Sequence, residues 1–400
     1  MNHCRFGDKP YSYVMTADEP KSDVLLKAII ALVVLSMICL AMALFGCASG
    51  GANGDKEAGR PAIIGADVSA LAVFEKNAAT YRYPDGVRGD AIAILRGAGM
   101  NCFRLRLFVN PTGTDVEDND IEYTLALAKR IKASGAKFML DIHYSDTWAD
   151  PAKQTKPAAW KDLDFNDLQA QVESYTADTL KRFIAENAAP DYVQLGNEVT
   201  NGMLWPDGRI EFAEASDSAA FDRFAALQAA SHKGLDEAFA GRPAPLVVMH
   251  IESSGNLART RWFIDNAATR GIRYDILAFS YYPNWHGTMA ELAATLAFAA
   301  EKSGKPVIVA ETAEPWKLTA NWRQYPKKLE FPPTIKGQRE FAAALAKTVR
   351  EVPGGRGIGI MWWYPEAVLN DHINVWLGGD CGLFDRDGTI LPTAHVLCGE

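Results

Sequence analysis

The chain has 400 residues, 48% hydrophobic and 22% charged, with a formal net charge of −8 and a pI near 5.5. Its length suits one large domain or two smaller ones. The acidic balance excludes a nucleic-acid binder, which needs a basic face, and fits a neutral polymer without selecting one.

The first sixty residues are a different material from the rest. Val24–Phe45 is almost wholly apolar, with Lys21 and Lys27 at its start, and leads into Gly46-Cys47 and the small-residue run Ala48–Gly54. An apolar run behind lysines is a secretory signal or a membrane anchor, not part of the fold. Leu44-Phe45-Gly46-Cys47 resembles a bacterial lipoprotein box, in which the cysteine is lipidated and becomes the mature N terminus. An uncleaved helix is the alternative, because Val24–Phe45 is long enough to span a bilayer. The lipoprotein reading is preferred. Residues 1–47 are then a leader, 48–60 a flexible spacer and 61–400 the folded domain.

From residue 62 onward short apolar strand signals alternate with longer helical ones. The strand candidates are Ile63–Asp67, Cys102–Phe108, Lys137–Ile142, Tyr192–Gly196, Leu246–His250, Ile276–Ser280, Val307–Ala310 and Gly359–Trp363. Helical runs between them include Asp90–Arg96, Ile121–Ser134, Asp167–Glu186, Ser218–Phe239, Met289–Ser303 and Gly337–Glu351. In the second of these, Ile121, Leu125, Ala128 and Ile131 share one face and Gly135 is a stop. Eight strands separated by helices predict an α/β fold, a (β/α)8 TIM barrel. A doubly wound open sheet is the alternative, but no glycine-rich dinucleotide turn follows the first strand.

A barrel carries its chemistry at the carboxyl ends of its strands. Reading those ends in order gives Asp67, then Arg104 and Arg106, then His143, Asp146, Trp148 and Asp150. Next come Asn197 and Glu198, His250 and Glu252, Tyr281, Tyr282 and Trp285, Glu311, and finally Trp363 and Tyr364. One strand-end glutamate is ordinarily a solvated cap. Two of them, Glu198 and Glu311, across one rim are what glycosidic cleavage needs: a proton donor and a nucleophile or base. Aromatic side chains around the rim suit the apolar faces of sugar rings, although about half of the Trp and Tyr belong in the core.

The motifs are more specific than the pattern. Asp141-Ile142-His143-Tyr144-Ser145-Asp146-Thr147-Trp148-Ala149-Asp150-Pro151, with Gln154 and Pro157-Ala158-Ala159-Trp160, closely resembles the third-strand signature of glycoside hydrolase family 53. Gly196-Asn197-Glu198 through Trp205-Pro206 is similar to the segment holding that family's acid/base glutamate. Ser280-Tyr281-Tyr282-Pro283 with Trp285-His286-Gly287, and Val309-Ala310-Glu311-Thr312-Ala313, resemble its sixth- and seventh-strand motifs. The resemblance runs from about Gly65 to about Pro392.

It implies a retaining endo-β-1,4-galactanase acting on the galactan side chains of pectin, type I arabinogalactan. Glu198 would be the acid/base and Glu311 the nucleophile. By the same likeness Arg104 holds the nucleophile ionised, Asn197 binds the sugar's 2-hydroxyl, and Trp363 floors the subsite at the cleaved bond. His143, Trp148, Asp150 and Tyr281 are similar to substrate-pocket residues, and Trp285 is expected to stack on sugar. The chain departs from the family at Trp362-Trp363-Tyr364-Pro365-Glu366, where Tyr-Trp-Glu-Pro is common, and from Glu314-Pro315-Trp316 onward.

No organic cofactor and no metal site are expected. Asp385-Arg386-Asp387-Gly388 opens like a calcium loop but lacks the later glutamate, so a turn is the favoured reading over calcium. Cys102 reads as a buried thiol, and Cys381 with Cys398 as a candidate disulfide. The partners expected are a plant cell-wall galactan and, through the leader, a membrane. The expected location is outside the cytoplasm, as a membrane-anchored lipoprotein or a secreted protein. A mannanase or cellulase of the same clan would share the glutamates without the third-strand run. A non-catalytic glycan-binding barrel would have lost one of the glutamates.

Overall fold

The structure is a computed structural model that describes residues 61–114, 116–212, 218–319 and 330–399. The leader, the spacer and Cys47 lie outside the described residues. Eight parallel strands close into a barrel: β1 Ile63–Asp67, β2 Cys102–Leu107, β3 Lys137–Ile142, β4 Tyr192–Leu195, β5 Leu246–Ile251, β6 Ile276–Tyr281, β7 Val307–Thr312 and β8 Gly357–Trp363. Pairing of β1 with both β2 and β8 closes the ring. Closure is tight at Gly65, where an added Cβ would sit 1.8 Å from the Cys102 carbonyl oxygen, so no side chain fits there.

The helices that follow the strands are α1 Ala91–Gly97, α2 Ile121–Ala133, α3 Phe165–Ala185, α4 Ser218–Ala238, α5 Leu257–Thr269, α6 Met289–Ser303, α7 Ile335–Arg350 and α8 Thr393–Leu397. Their starts are set by side chains that accept orphan backbone N–H groups. Asp90, Asp120, Asp164 and Thr334 cap α1, α2, α3 and α7, and Thr288 with Glu291 forms a capping box on α6. Two of these helices, α5 and α8, are additional to the predicted runs. The inner face of α5 is Thr260, Phe263, Ile264 and Ala267, and a polar threonine holds one of its four core positions.

Strand alternation fills the barrel interior in layers. The lower layer is apolar and includes Ile63, Cys102, Met139, Tyr192, Val248, Ile276, Ala278, Ile308, Ala310 and Met361. Two residues further along the same strands, the inward positions turn polar: Arg104 on β2, Asp141 on β3, Gln194 on β4, His250 on β5 and Ser280 on β6. Cys102 and Cys381 are buried thiols, so the Cys381–Cys398 bridge is not made. Asp385–Gly388 is a tight turn: Asp385 accepts from the backbone of Asp387 and Thr389, and Gly388 has φ +77°.

Candidate active site

Local backbone irregularity aims both glutamates. Beyond β4 the chain passes through Gly196 (φ +109°) to Glu198, itself left-handed at φ +45°, a conformation costly for a residue with a Cβ. That turn brings the carboxyl back over the barrel mouth. On β7, Ile308 and Ala310 face inward, so strict alternation would send Glu311 out to the helices. A bulge prevents this. Against β6 the register passes from Phe279↔Val309 to Ser280↔Glu311, and against β8 from Val309↔Ile360 to Thr312↔Trp362. The extra residue re-aims Glu311 into the mouth.

Glu198 and Glu311 line one cleft of about 600 Å³, with Trp148, Asp150, Asn197, Glu252, Tyr282, Trp285, His286, Trp363 and Trp376 among its other walls. Nine of the rim residues read from the sequence therefore meet in one place: Trp148, Asp150, Asn197, Glu198, Glu252, Tyr282, Trp285, Glu311 and Trp363. Trp148 and Trp363 touch edge to face at 6.0 Å, and the Arg106 guanidinium lies 4.3 Å from the Trp148 ring centroid.

Arg104 lies beneath the cleft, fully buried, with four hydrogen bonds and an ion pair to Glu311. Nε donates to Gln194 Oε1 at 2.7 Å. Nη1 meets Asp67 Oδ2 and Glu311 Oε1, each at 2.9 Å, and Nη2 meets Asp141 Oδ2 at 2.7 Å and Asn197 Oδ1 at 2.8 Å. One guanidinium thus serves three carboxylates. Its charge is shared among Asp67, Asp141 and Glu311. Burial pushes the Glu311 carboxyl up, with Asp141 and Asp67 adding to the rise, while Arg104 and the Tyr282 hydroxyl (3.2 Å) oppose it; the balance is about 7.

Glu198 is displaced further. Burial and then the Glu311 charge push its carboxyl well above the usual range, and Glu252 and Asp150 add to this. The Ser280 hydroxyl donates to Glu198 Oε1 at 2.5 Å and opposes the rise. Glu311 is therefore the first of the two to ionise, and Glu198 the one that keeps a proton near neutrality. Ser280 also pairs with Glu311 in the sheet register, so Glu198 reaches across to the strand beside its partner carboxylate.

His143 sits one layer below the surface. Its Nδ1 accepts from the Ala149 N–H at 3.1 Å, its Nε2 meets Asp141 Oδ2 at 2.9 Å, and its ring packs edge-on to Trp148. It braces the third-strand loop and does not line the cleft. Asn197 is held by its Nδ2 donating to Ala149 O at 2.8 Å and by Arg104 on Oδ1. His250 is core, with Nε2 2.9 Å from Ser280 Oγ and Nδ1 2.9 Å from Asn197 Oδ1. Burial and then Arg104 depress its pKa, keeping the ring neutral. Asp146 accepts from the Asn110 and Ala158 N–H groups and serves the loop.

Tyr281 is a correction. It is fully buried, stacks on Phe341 of α7 and donates its hydroxyl to Gly287 O, away from the cleft. Its neighbour Tyr282 takes the site position and bonds Glu311. Parity decides between them: Ile276 and Ala278 face inward on β6, so residues 280 and 282 do too, while Leu277, Phe279 and Tyr281 join the outer core. Trp376, absent from the expected residues, packs on Tyr282 and Trp285. No rule about strand ends reaches it, because it lies far along the loop after β8. No group of three or more His, Cys, Asp or Glu arranged to hold a metal occurs among the described residues.

Comparison with known proteins bears on this arrangement directly. The Glycosyl hydrolase family 53 model matches residues 63–397. The chain belongs to glycosyl hydrolase family 53. It is 38% identical over 351 residues to an uncharacterized protein of Niallia circulans, covering 84% of this chain and 93% of that one. It is 35% identical over 326 residues to a probable arabinogalactan endo-beta-1,4-galactanase A of Aspergillus terreus, covering 79% of this chain and 88% of the relative. Among solved structures, the family 53 catalytic domain of Ignisphaera aggregans superposes with a TM-score of 0.75 at 30% identity, covering 85% of this chain and 97% of that one. As a family 53 member the protein is a glycoside hydrolase.

Proposed function

We propose that the protein is a retaining endo-β-1,4-galactanase that cuts galactan side chains of pectin. The observation that carries this reading is the meeting of Glu198 and Glu311 in one cleft with their proton affinities set apart. The substrate class rests on the galactanase name of the Aspergillus terreus relative. In this reading a Glu311 oxygen attacks the anomeric carbon while the bond to the leaving oxygen breaks and takes up the Glu198 proton. Ionised Glu198 then removes a proton from water, which displaces Glu311 from the same carbon. The bond from Ser280 to Glu198, beside Glu311 in the register, supports the short carboxyl spacing of about 5–5.5 Å that retention needs. Arg104 and Tyr282 hold the attacking carboxylate, and Trp363, Trp148 and Trp285 offer ring faces to sugar.

Two measurements test this. Reducing ends should appear from β-1,4-galactan well ahead of mannan or cellulose; equal release from all three contradicts the substrate. Proton NMR of the first product should show the β anomer; an α anomer contradicts retention.

The leader supports a location outside the cytoplasm, with Cys47 as the lipid attachment point. Labelled palmitate should enter the wild-type chain and not Cys47→Ala; equal labelling of both contradicts the anchor.

A further inference from the structure

Arg106 follows Arg104 by two residues on β2, and both guanidiniums are fully buried. Their surroundings differ. Arg104 meets oxygen on Nε, Nη1 and Nη2. Arg106 bonds Val116 O at 2.8 Å and the Tyr364 hydroxyl at 3.4 Å, both through Nη2, and its Nη1 is 3.8 Å from Asp67 Oδ1. Among the described residues, neither Nε nor Nη1 of Arg106 has a hydrogen-bond partner. Aromatic rings take the place of oxygens. The Arg106 Cζ lies 4.3 Å from the Trp148 ring centroid, 5.5 Å from Tyr364, 5.8 Å from Trp363 and 5.9 Å from Phe108. All four are within reach of a cation–π contact, which strengthens where water is excluded.

Burying a charge is costly, and an apolar side chain would fill this space without that cost. The worth of Arg106 therefore lies in what it holds. Trp148 stands on the loop after β3 and Trp363 ends β8, and β1 and β2 separate those strands in the ring. Both side chains line the catalytic cleft, yet their own contact is one edge-to-face approach at 6.0 Å. From β2, between them, Arg106 sets one charge against both rings. Trp363 also has the Arg104 guanidinium at 5.8 Å, so the pair is keyed to the residue that holds Glu311.

We propose that Arg106 is a positioning residue for the reaction: its charge clamps Trp148 and Trp363 into the one arrangement that receives a sugar beside the two glutamates. The assignment rests on the proposed galactanase reading, which makes these rings a sugar surface. It adds a residue that acts on substrate only through them.

The test compares Arg106→Lys with Arg106→Met in steady-state kinetics on β-1,4-galactotetraose. Lys keeps a charge, and Met keeps an uncharged stem of similar length. A clamp made by charge predicts that Met raises KM about tenfold, the size of one desolvated cation–π contact. Turnover should stay within about threefold, because a contact made equally in ground and transition states changes KM alone. Lys should recover most of the KM. In a Trp148→Leu background, Arg106→Met should add less to KM than it does alone, since one of its rings is gone. Rescue by Met in place of Lys, a fall in kcat with KM unchanged, or full additivity with Trp148→Leu overturns the clamp. Thermal unfolding reports whether each variant is folded under assay conditions. Should Arg106→Met not fold, Tyr364→Leu removes a buried wall of the cage and should raise KM in the same sense; an unchanged KM there overturns the clamp. A wild-type enzyme that leaves galactotetraose intact instead overturns the galactanase reading on which the clamp depends.

Discussion

The barrel interior holds two regions built from the same strands a few ångströms apart. The lower layer is apolar: Met139 on β3, Ile276 and Ala278 on β6, and Met361 on β8. Two residues further along β3 comes Asp141, two along β2 from Cys102 comes Arg104, and two along β6 from Ala278 comes Ser280. Burial is nearly complete in both layers. In the lower one it stabilises the fold through packing. In the upper one it disfavours charge, and Arg104, with four hydrogen bonds and ion pairs to three carboxylates, offsets that cost. What separates them is that in the upper layer burial raises both carboxyl pKa values, while Arg104 and Tyr282 oppose the rise at Glu311 and the Glu311 charge adds to it at Glu198.

Substitutions in the two layers should therefore fail differently. Glu311→Ala removes the proposed attacking oxygen, and kcat should fall by about 10⁵-fold with little change in unfolding temperature. Glu198→Ala should lower kcat/KM on galactan by about 10³-fold, and a substrate with an activated aryl leaving group should recover much of it. Arg104→Met leaves Asp141 and Glu311 without their guanidinium, so stability should fall by about 3–5 kcal/mol in denaturant titrations. Arg104 is also what lowers the Glu311 pKa, so the acidic limb of kcat/KM should move to higher pH.

Met139→Ala, in the lower layer, should cost about 2–5 kcal/mol of stability while kcat measured below the new unfolding temperature stays close to wild type. A large drop in kcat there would erase the distinction between the layers. Ser280→Ala gives the smallest effect. Loss of a donor to Glu198 raises that carboxyl's pKa, so the basic limb of the rate profile should shift to higher pH. An unmoved limb would make Ser280 a packing residue only.

Much of this was legible in the sequence, for identifiable reasons. Buried parallel strands are short apolar runs, and the eight expected ones match the barrel with ends displaced by two residues at most. The third-strand run His143–Pro151 and the two glutamates carried the family. Three features were not legible. The bulge at Ala310-Glu311 leaves no mark in residue type, because it answers the pairing of β7 with both neighbours. Tyr281 and Tyr282 are chemically alike, and only their parity relative to Ile276 and Ala278 separates them. Trp376 reaches the cleft by tertiary folding of the loop after β8, which strand ends cannot report.

The most direct test of the central claim is covalent trapping. A 2-deoxy-2-fluoro-β-galactosyl donor with a good leaving group slows departure from the enzyme more than attachment to it. Mass spectrometry of the digested protein should then find one fluorosugar on the peptide containing Glu311. A label on Glu198, or no adduct from an enzyme that turns the donor over with inversion, contradicts the assignment of attacker and proton donor.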